Sequence, residues 1–528
     1  MTRPALVLVG LVGLAFACGP THGPPHEPPI VAGPSEASPA RANEARGPGY
    51  ANARLARDEV AASLLAHLRE TGEVASIEFH YTGKFGVAGH LAKPGQIDEL
   101  EIAGRYAFAG EDAAHHGTLR SGDEPERTTT TLITRAGAAS RDPWQDVAES
   151  LGPESRAAAL LELRRKLPHE FLRAALAAPA SLRELGEVPL EGRTHVLVSY
   201  SDASGTWNLY LDANTRLLTR AERLIADPIE GDASEWFEFS DYVAIEGVML
   251  PRHMSELRIE SDWSWRRELV LDSIHVGGPI DPDTFALPEG LSPSAAPVDA
   301  LEPIEVIELA KDVYSFELRE HDIRVLVVAF ADHSVVLEAP LSSEIGEAIL
   351  ARVAELLPDK PVRHLAIGHH HPHYSAGLRP FVHAGVTLVT TPGNQALFES
   401  VASRPHRLDP DAQQQEPKAP EFMLVRGRLS LGDANTRLEL IDIGEASHHT
   451  DEYLLFFLPA QGLLFEGDLG WLPSGEADAR TGRRARRLLE IIEGQALAVE
   501  RVVQAWPLAD QQRVVTIEQL RTWAKLPE

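Results

Sequence analysis

The chain reads as two folded domains of mixed class, an α+β domain followed by an α/β domain, and three observations lead there. Its 528 residues exceed what one hydrophobic core organises. The first half carries short segments that alternate apolar and polar residues with period two, interrupted by one helical stretch. The second half sets an amphipathic helix between two apolar runs, and the second of those runs leads straight into four histidines within five positions.

Residues 1–18 read as a targeting segment. Arg3 supplies a positive charge, and Ala5 to Ala17 is an apolar stretch too short to span a bilayer. It ends in Leu14-Ala15-Phe16-Ala17-Cys18-Gly19, which resembles a bacterial lipobox with the small Ala17 directly before Cys18. That resemblance implies a lipid anchor on Cys18 and a place in the bacterial cell envelope, facing the periplasm or the outer surface. The plainer alternative is cleavage after Ala17 that leaves a free thiol. Cys18 is the only cysteine, so the chain has no internal disulfide and no cysteine nucleophile within a folded domain. Residues 19–50 are rich in Pro, Gly, Ala and Ser, a composition that buries no core and reads as a tether.

Residues 51–290 form the expected β-rich domain. Asp58 to Leu68 is an amphipathic helix with Val60, Leu64, Leu65 and Leu68 on one side. Strands follow at Ser76 to Tyr81 and Thr128 to Ile133, then a helical stretch near Asp146 to Leu182. Strands return at Thr194 to Tyr200, Trp207 to Leu211, Leu217 to Glu222 and Trp236 to Phe239, with turn chemistry at Asp212-Ala213-Asn214-Thr215. Successive antiparallel strands with a helical insertion predict a curved sheet or half-barrel. The run Tyr210 to Leu218, with Phe239 to Tyr242 and Gly247 to Pro251, looks like periplasmic lipoprotein-carrier half-barrels. This resemblance implies a concave apolar face for an acyl chain or a protein ligand; a plain β scaffold is the alternative. Residues 291–304 are a Pro-rich linker.

The net charge of −29 argues against nucleic acid as a partner, and against an anionic lipid surface as the main one. No Gly-x-Ser-x-Gly, P-loop or Gly-x-Gly-x-x-Gly pattern occurs, so serine hydrolase, NTPase and dinucleotide readings lack their anchors.

Residues 305–528 hold the chemistry. Val362 to Ile367 reads as a buried strand, and the loop leaving it is Gly368-His369-His370-His371-Pro372-His373-Tyr374. Neutral imidazole is the commonest metal ligand, and His-x-His at His369 and His371 brings two rings to one ion. A solvated loop or an adventitious metal site is the alternative. Upstream, Ser342 or Ser343 caps a helix whose Ile345, Ile349, Val353 and Leu357 share one face. Downstream, Thr391-Pro392 has the residues of a helix start.

These motifs resemble the metallo-β-lactamase fold superfamily, whose members carry His-x-His-x-Asp-His at a strand end. His369 and His371 match the first two ligands, while His373 and Tyr374 replace the Asp and the third His. Ser447-His448-His449-Thr450 looks like the second His motif, with His449 as ligand. Leu463 to Asp468 looks like the strand ending in the metal-bridging Asp. Trp506-Pro507 stands where His-Gly is expected, and no histidine follows His449. The resemblance implies an αββα sandwich in which His369, His371, His449 and Asp468 hold one zinc. It also implies a hydrolase acting on a small-molecule ester, amide, thioester or lactone through metal-activated water, with catalytic roles for Asp468 and for His373 as general base. Two other readings of the site stay open: a fourfold-closed structural site, and a metal-free relic. The corresponding alternative function is a binding module or pseudoenzyme that holds a lipid or protein partner. His370 and His448 read as neighbours of ligands, His364 as packed, Asp451 as a partner of His449 or a loop charge, and Glu338 as a hydrogen-bond acceptor for the His loop. Arg480, Arg483, Arg484, Arg486 and Arg487 read as a helix start or an anion-recognising rim.

Overall fold

The computed structural model describes residues 47–526 apart from 69–73, 89–90, 123–124, 144–146, 260–264, 293–302 and 510. The targeting segment with Cys18, most of the tether and most of the linker lie outside the described residues. The chain is a sheet-rich, mixed α/β protein of two domains.

Among the described residues of the first domain, thirteen strands form one antiparallel sheet. Its geometry follows from the two-residue repeat: Gly231–Ser240 alternates buried and half-buried positions along almost its whole length. The strand Ser76–Ala88 sits inside the sheet, paired on one side with Ile97–Ala109 and on the other with Trp265–Val276. The domain's first helix runs Gly47–Leu68, so it begins within the stretch read as tether and well before Asp58. Its Ala56, Val60 and Leu68 enter the core, and His67 Nε2 accepts the Leu218 amide at 3.0 Å. The helical stretch expected near 146–182 consists of two helices, Pro153–Arg164 and Pro168–Ala177. Pro168 causes the break: it disfavours helical backbone at Leu167, which is extended. The expected turn is present, with Asp212 Oδ1 accepting from the amides of Asn214 and Thr215.

The second domain holds a seven-stranded and a six-stranded sheet. In the first, strands follow one another in chain order from Glu305–Ala310 to Phe422–Leu424, and the last four run parallel. Continuous apolar runs make the inner strands: every residue of Ile323–Ala329 and of Leu454–Leu458 is buried. Residues of both sheets share one apolar core, among them Val325, Val336, Leu365, Leu440, Phe456 and Phe465. The helix Ser343–Leu356 packs Ile345, Ile349 and Val353 against that core, and the Ser342 hydroxyl caps it by accepting from Ile345 N. The helix Ala479–Gly494 buries Ala485, Leu488, Ile491 and Ile492 in a separate cluster on the far face of the second sheet. Thr391 does not cap as expected. The turn Pro392–Asn394 is 3₁₀, and the Thr391 hydroxyl accepts from Asn394 Nδ2 instead.

Among the described residues the two domains meet at a segment of the second domain near Arg404 and at its His loop. Asp232 pairs with Arg407 at 2.7 Å, and its amide donates to Pro405 O at 2.8 Å, beside the ion pair Arg404–Glu230 at 3.1 Å. The hairpin loop after Ser76–Ala88 reaches the His loop of the second domain.

Candidate metal centre

The site forms where strand ends of the two sheets meet. Val362–Ala366 delivers the His loop, and Leu463–Glu466 delivers Asp468. The Leu454 amide donates to Gly368 O at 2.8 Å, which ties the His loop to a strand of the other sheet. Glu338, at the end of Ser334–Leu337, accepts the Gly368 amide at 3.1 Å, as the sequence reading anticipated for the His loop. Ser375 Oγ donates to His370 O and His371 O. Ser447 Oγ accepts the amides of His449 and Thr450, each at 3.1 Å, and so fixes the second His loop.

His369, His371, His449 and Asp468 come together, each offering one ligand atom within 4.8 Å of all the others. His449 Nε2 lies 3.0 Å from Asp468 Oδ2 and 3.2 Å from His371 Nδ1, while His369 Nε2 lies 3.9 Å from Asp468 Oδ1. Ligands of a tetrahedral zinc sit about 3.3 Å apart, so these separations bracket what one ion needs. His369 is fully buried, and neither ring nitrogen has a hydrogen-bond partner among the described residues. Buried polar atoms are rarely left so, and an ion would satisfy one of them. The donor set of three imidazoles and a carboxylate fits zinc.

Electrostatics favour a cation. Burial would raise the Asp468 carboxyl, but His449, His369 and Arg484 overcome it and hold the group well below the usual carboxylate range. Burial drives His369 well below its ordinary value, against the pull of Asp468, and His370 down to about 3. Glu466 is pushed up to about 8 by burial and by the Asp468 charge, against the amides of Leu469 and Gly470 that it accepts. One turn therefore holds an ionised and a protonated carboxyl.

His373 stands beside this group rather than in it. Its ring centroid lies 5.3 Å from that of Trp506, and burial lowers it to about 4. It is thus a neutral base at physiological pH, not a group poised near neutrality. The Tyr374 hydroxyl is buried without a hydrogen-bond partner among the described residues, and its ring lies 4.3 Å from that of His369. His448 is exposed, and His364 packs near the His333 ring. Asp451 pairs with Lys93 of the first domain at 3.2 Å. Within the arginine cluster, Arg484 binds Asp468 O and Gly470 O, and Arg486 binds Ala524 O and Leu526 O. Those two cations are structural.

Three contributors escaped the sequence reading. Tyr453 Oη accepts the amides of Gly467 and Asp468 at 3.0 and 3.2 Å, and its ring stacks on His369 at 4.7 Å. Glu466 carried the one signal, an acidic residue closing an apolar strand. Leu91 acts through its carbonyl, which no side-chain pattern reveals.

No family model and no curated protein matches the chain. Solved structures similar to part of it include the metallo-β-lactamase FIM-1 from Pseudomonas aeruginosa in a mono-zinc form, at 16% identity over 43% of this chain and 95% of that one, TM-score 0.32. A metallo-β-lactamase from Pontibacter korlensis is 16% identical over 42% of this chain and 97% of its own, TM-score 0.32. The flavodiiron protein from Giardia intestinalis is 14% identical over 42% and 60%, TM-score 0.31.

Proposed function

We propose that the chain is a metal-dependent hydrolase whose second domain has the αββα metallo-β-lactamase fold and holds a single zinc. One observation carries the reading: three histidines and Asp468 converge within 4.8 Å around a His369 whose buried nitrogens have no hydrogen-bond partner among the described residues. His369, His371, His449 and Asp468 hold the ion. A zinc there supplies Lewis acidity and lowers the pKa of water to about 7. The residues do the rest. Tyr453 and Arg484 fix the Asp468 turn, Glu338 and Ser375 fix the His loop, and neutral His373 is available to take a proton as the reaction begins. The acyl substrate is an ester, amide, thioester or lactone.

Elemental analysis after dialysis tests the metal, with about one zinc per chain expected. His371→Ala then loses both zinc and turnover on a panel of esters, β-lactams, lactones and thioesters. His373→Ala keeps zinc and slows turnover by about 10²- to 10⁴-fold. Zinc-loaded protein no faster than His371→Ala on every substrate class ends the hydrolase reading.

A second reading is a binding module. It draws on the absence of His373 from the metal group, on Trp506 packed over it and on the idle Tyr374 hydroxyl. In that case the first domain, read as a half-barrel, holds the acyl chain or partner. We further propose anchoring in the bacterial envelope through Cys18. Among the described residues no helix is long and apolar enough to cross a membrane. Cys18→Ser is expected to release the protein from the membrane fraction, and unchanged association would sink the anchor.

A further inference from the structure

We infer that the loop Leu91–Gln96 of the first domain is an outer clamp on the metal centre of the second, so that metal binding and domain docking reinforce each other. The inference rests on the metal reading above and deepens it.

Three contacts converge on the two His loops. His371 Nε2 lies 3.3 Å from Leu91 O, the Asp451 amide donates to Ala92 O at 2.8 Å, and Lys93 Nζ pairs with Asp451 Oδ2 at 3.2 Å. The first contact sets chemistry. A carbonyl only accepts, so His371 must carry its proton on Nε2. That leaves the Nδ1 lone pair pointing at His449 Nε2, 3.2 Å away, where an ion would sit. Ligating histidines take their orientation and basicity from such partners, and here the partner arrives from 280 residues upstream. The other two contacts hold the turn that carries His449. Leu91 is therefore a positioning residue acting through its backbone, and the first domain completes a site whose ligands all belong to the second. Linkage makes the effect reciprocal: a clamp that tightens metal binding is itself tightened by the metal.

The test uses the full chain and cobalt(II) as probe. Replacing Leu91–Gln96 with a Gly-Asn turn is expected to weaken cobalt affinity about 10- to 100-fold and to alter the visible spectrum, the usual cost of losing an outer partner. Lys93→Ala gives a sharper sign. Removing a positive charge beside a cation site strengthens binding by Coulomb's law alone, whereas loss of the clamp weakens it. A modest weakening, about two- to fivefold, is expected for this exposed pair. Hydrogen exchange of the Asp451 amide in metal-free protein judges the clamp independently: the loop replacement exposes it, and wild type protects it. Wild type that binds no cobalt defeats the metal reading and with it the coupling. Cobalt affinity unchanged by the loop replacement, tighter binding by Lys93→Ala, or an Asp451 amide equally protected in both proteins overturns the clamp.

Discussion

Tyr453 shows how much one oxygen carries at this site. Its hydroxyl accepts two successive amides, those of Gly467 and Asp468, and reaches Asp468 Oδ1 at 3.4 Å. The residue is fully buried, so nothing replaces the hydroxyl cheaply. An unsatisfied buried amide costs about 1–3 kcal/mol. Tyr453→Phe is therefore expected to lower stability by about 2–4 kcal/mol in urea denaturation of the metal-free protein, and to weaken the proposed zinc binding about tenfold through a looser Asp468 turn. A loss below about 0.5 kcal/mol would mean that water takes over both amides. The same logic explains Gly467: a Cβ there would fall 2.7 Å from Tyr453 Oη and 3.2 Å from His369. Only the smallest residue lets hydroxyl and imidazole meet the backbone at that point.

Behind the His loop, separate elements are held by one buried ion pair. Arg379, on the helix Arg379–His383, is 1% exposed and binds Asp411 through Nε at 2.6 Å and Nη2 at 2.9 Å. Its Nη1 donates to Val401 O, Ala402 O and Arg404 O, at the end of the helix Gln395–Ser403. Asp411 also accepts from Ser343 Oγ and Gln414 N. Burial would raise the Asp411 carboxyl, but Arg379 and these donors bring it down to about 2. The folded value lies below the usual 3.9 or so, so this contribution is complete above about pH 4 and fades as pH falls toward about 2. Acid titration of stability is expected to lose about 2 kcal/mol over that window. Asp411→Ala removes the pH dependence and, by leaving Arg379 unpaired, costs about 3–5 kcal/mol at neutral pH. A wild-type acid limb that matches the variant's would refute the assignment.

Sequence and structure agree best where one residue's chemistry decides the outcome. Fully apolar strands such as Leu454–Leu458 were legible because only buried strands or helices carry such runs, and their length chose the strand. The convergence of His369, His371, His449 and Asp468 was legible through the His-x-His run at a strand end for the first two and only through the family resemblance for the other two. The helical stretch near 146–182 was legible as such, and Pro168 marks where it divides at Leu167. Thr391 misled because a 3₁₀ turn takes the same residues as a helix start. The remaining gaps concern groups whose role is set by distant neighbours: a tyrosine hydroxyl, the Arg484 guanidinium on two carbonyls, and the Leu91 carbonyl. The partner of each lies outside any local window, so periodicity and spacing carry no trace of it.

At the scale of the molecule, Gly231 is the residue on which docking turns. Its φ is +71°, and a Cβ there would fall 2.2 Å from Pro405 O across the domain boundary. Gly231→Ala is expected to separate the segment 229–232 from 404–408 while leaving each domain's core in place. Limited proteolysis should then cut 404–411 several times faster, with near-unchanged far-ultraviolet circular dichroism. Equal cleavage rates would show that the boundary accommodates the methyl group.

The position of Ser76–Ala88 inside its sheet has a consequence for timing. Ile77 pairs with Val276 and Val87 with Trp265, so an interior strand made early waits for the domain's last strand. At about 5–20 residues per second, a ribosome takes roughly ten to thirty-five seconds to deliver that partner. Through this interval Phe79, Tyr81 and Phe85 sit on a strand with one open edge, the condition that invites wrong pairing between nascent chains. Chains stalled before residue 265 should therefore depend on a holding chaperone, and chains long enough to expose residue 276 beyond the exit tunnel should be released from it.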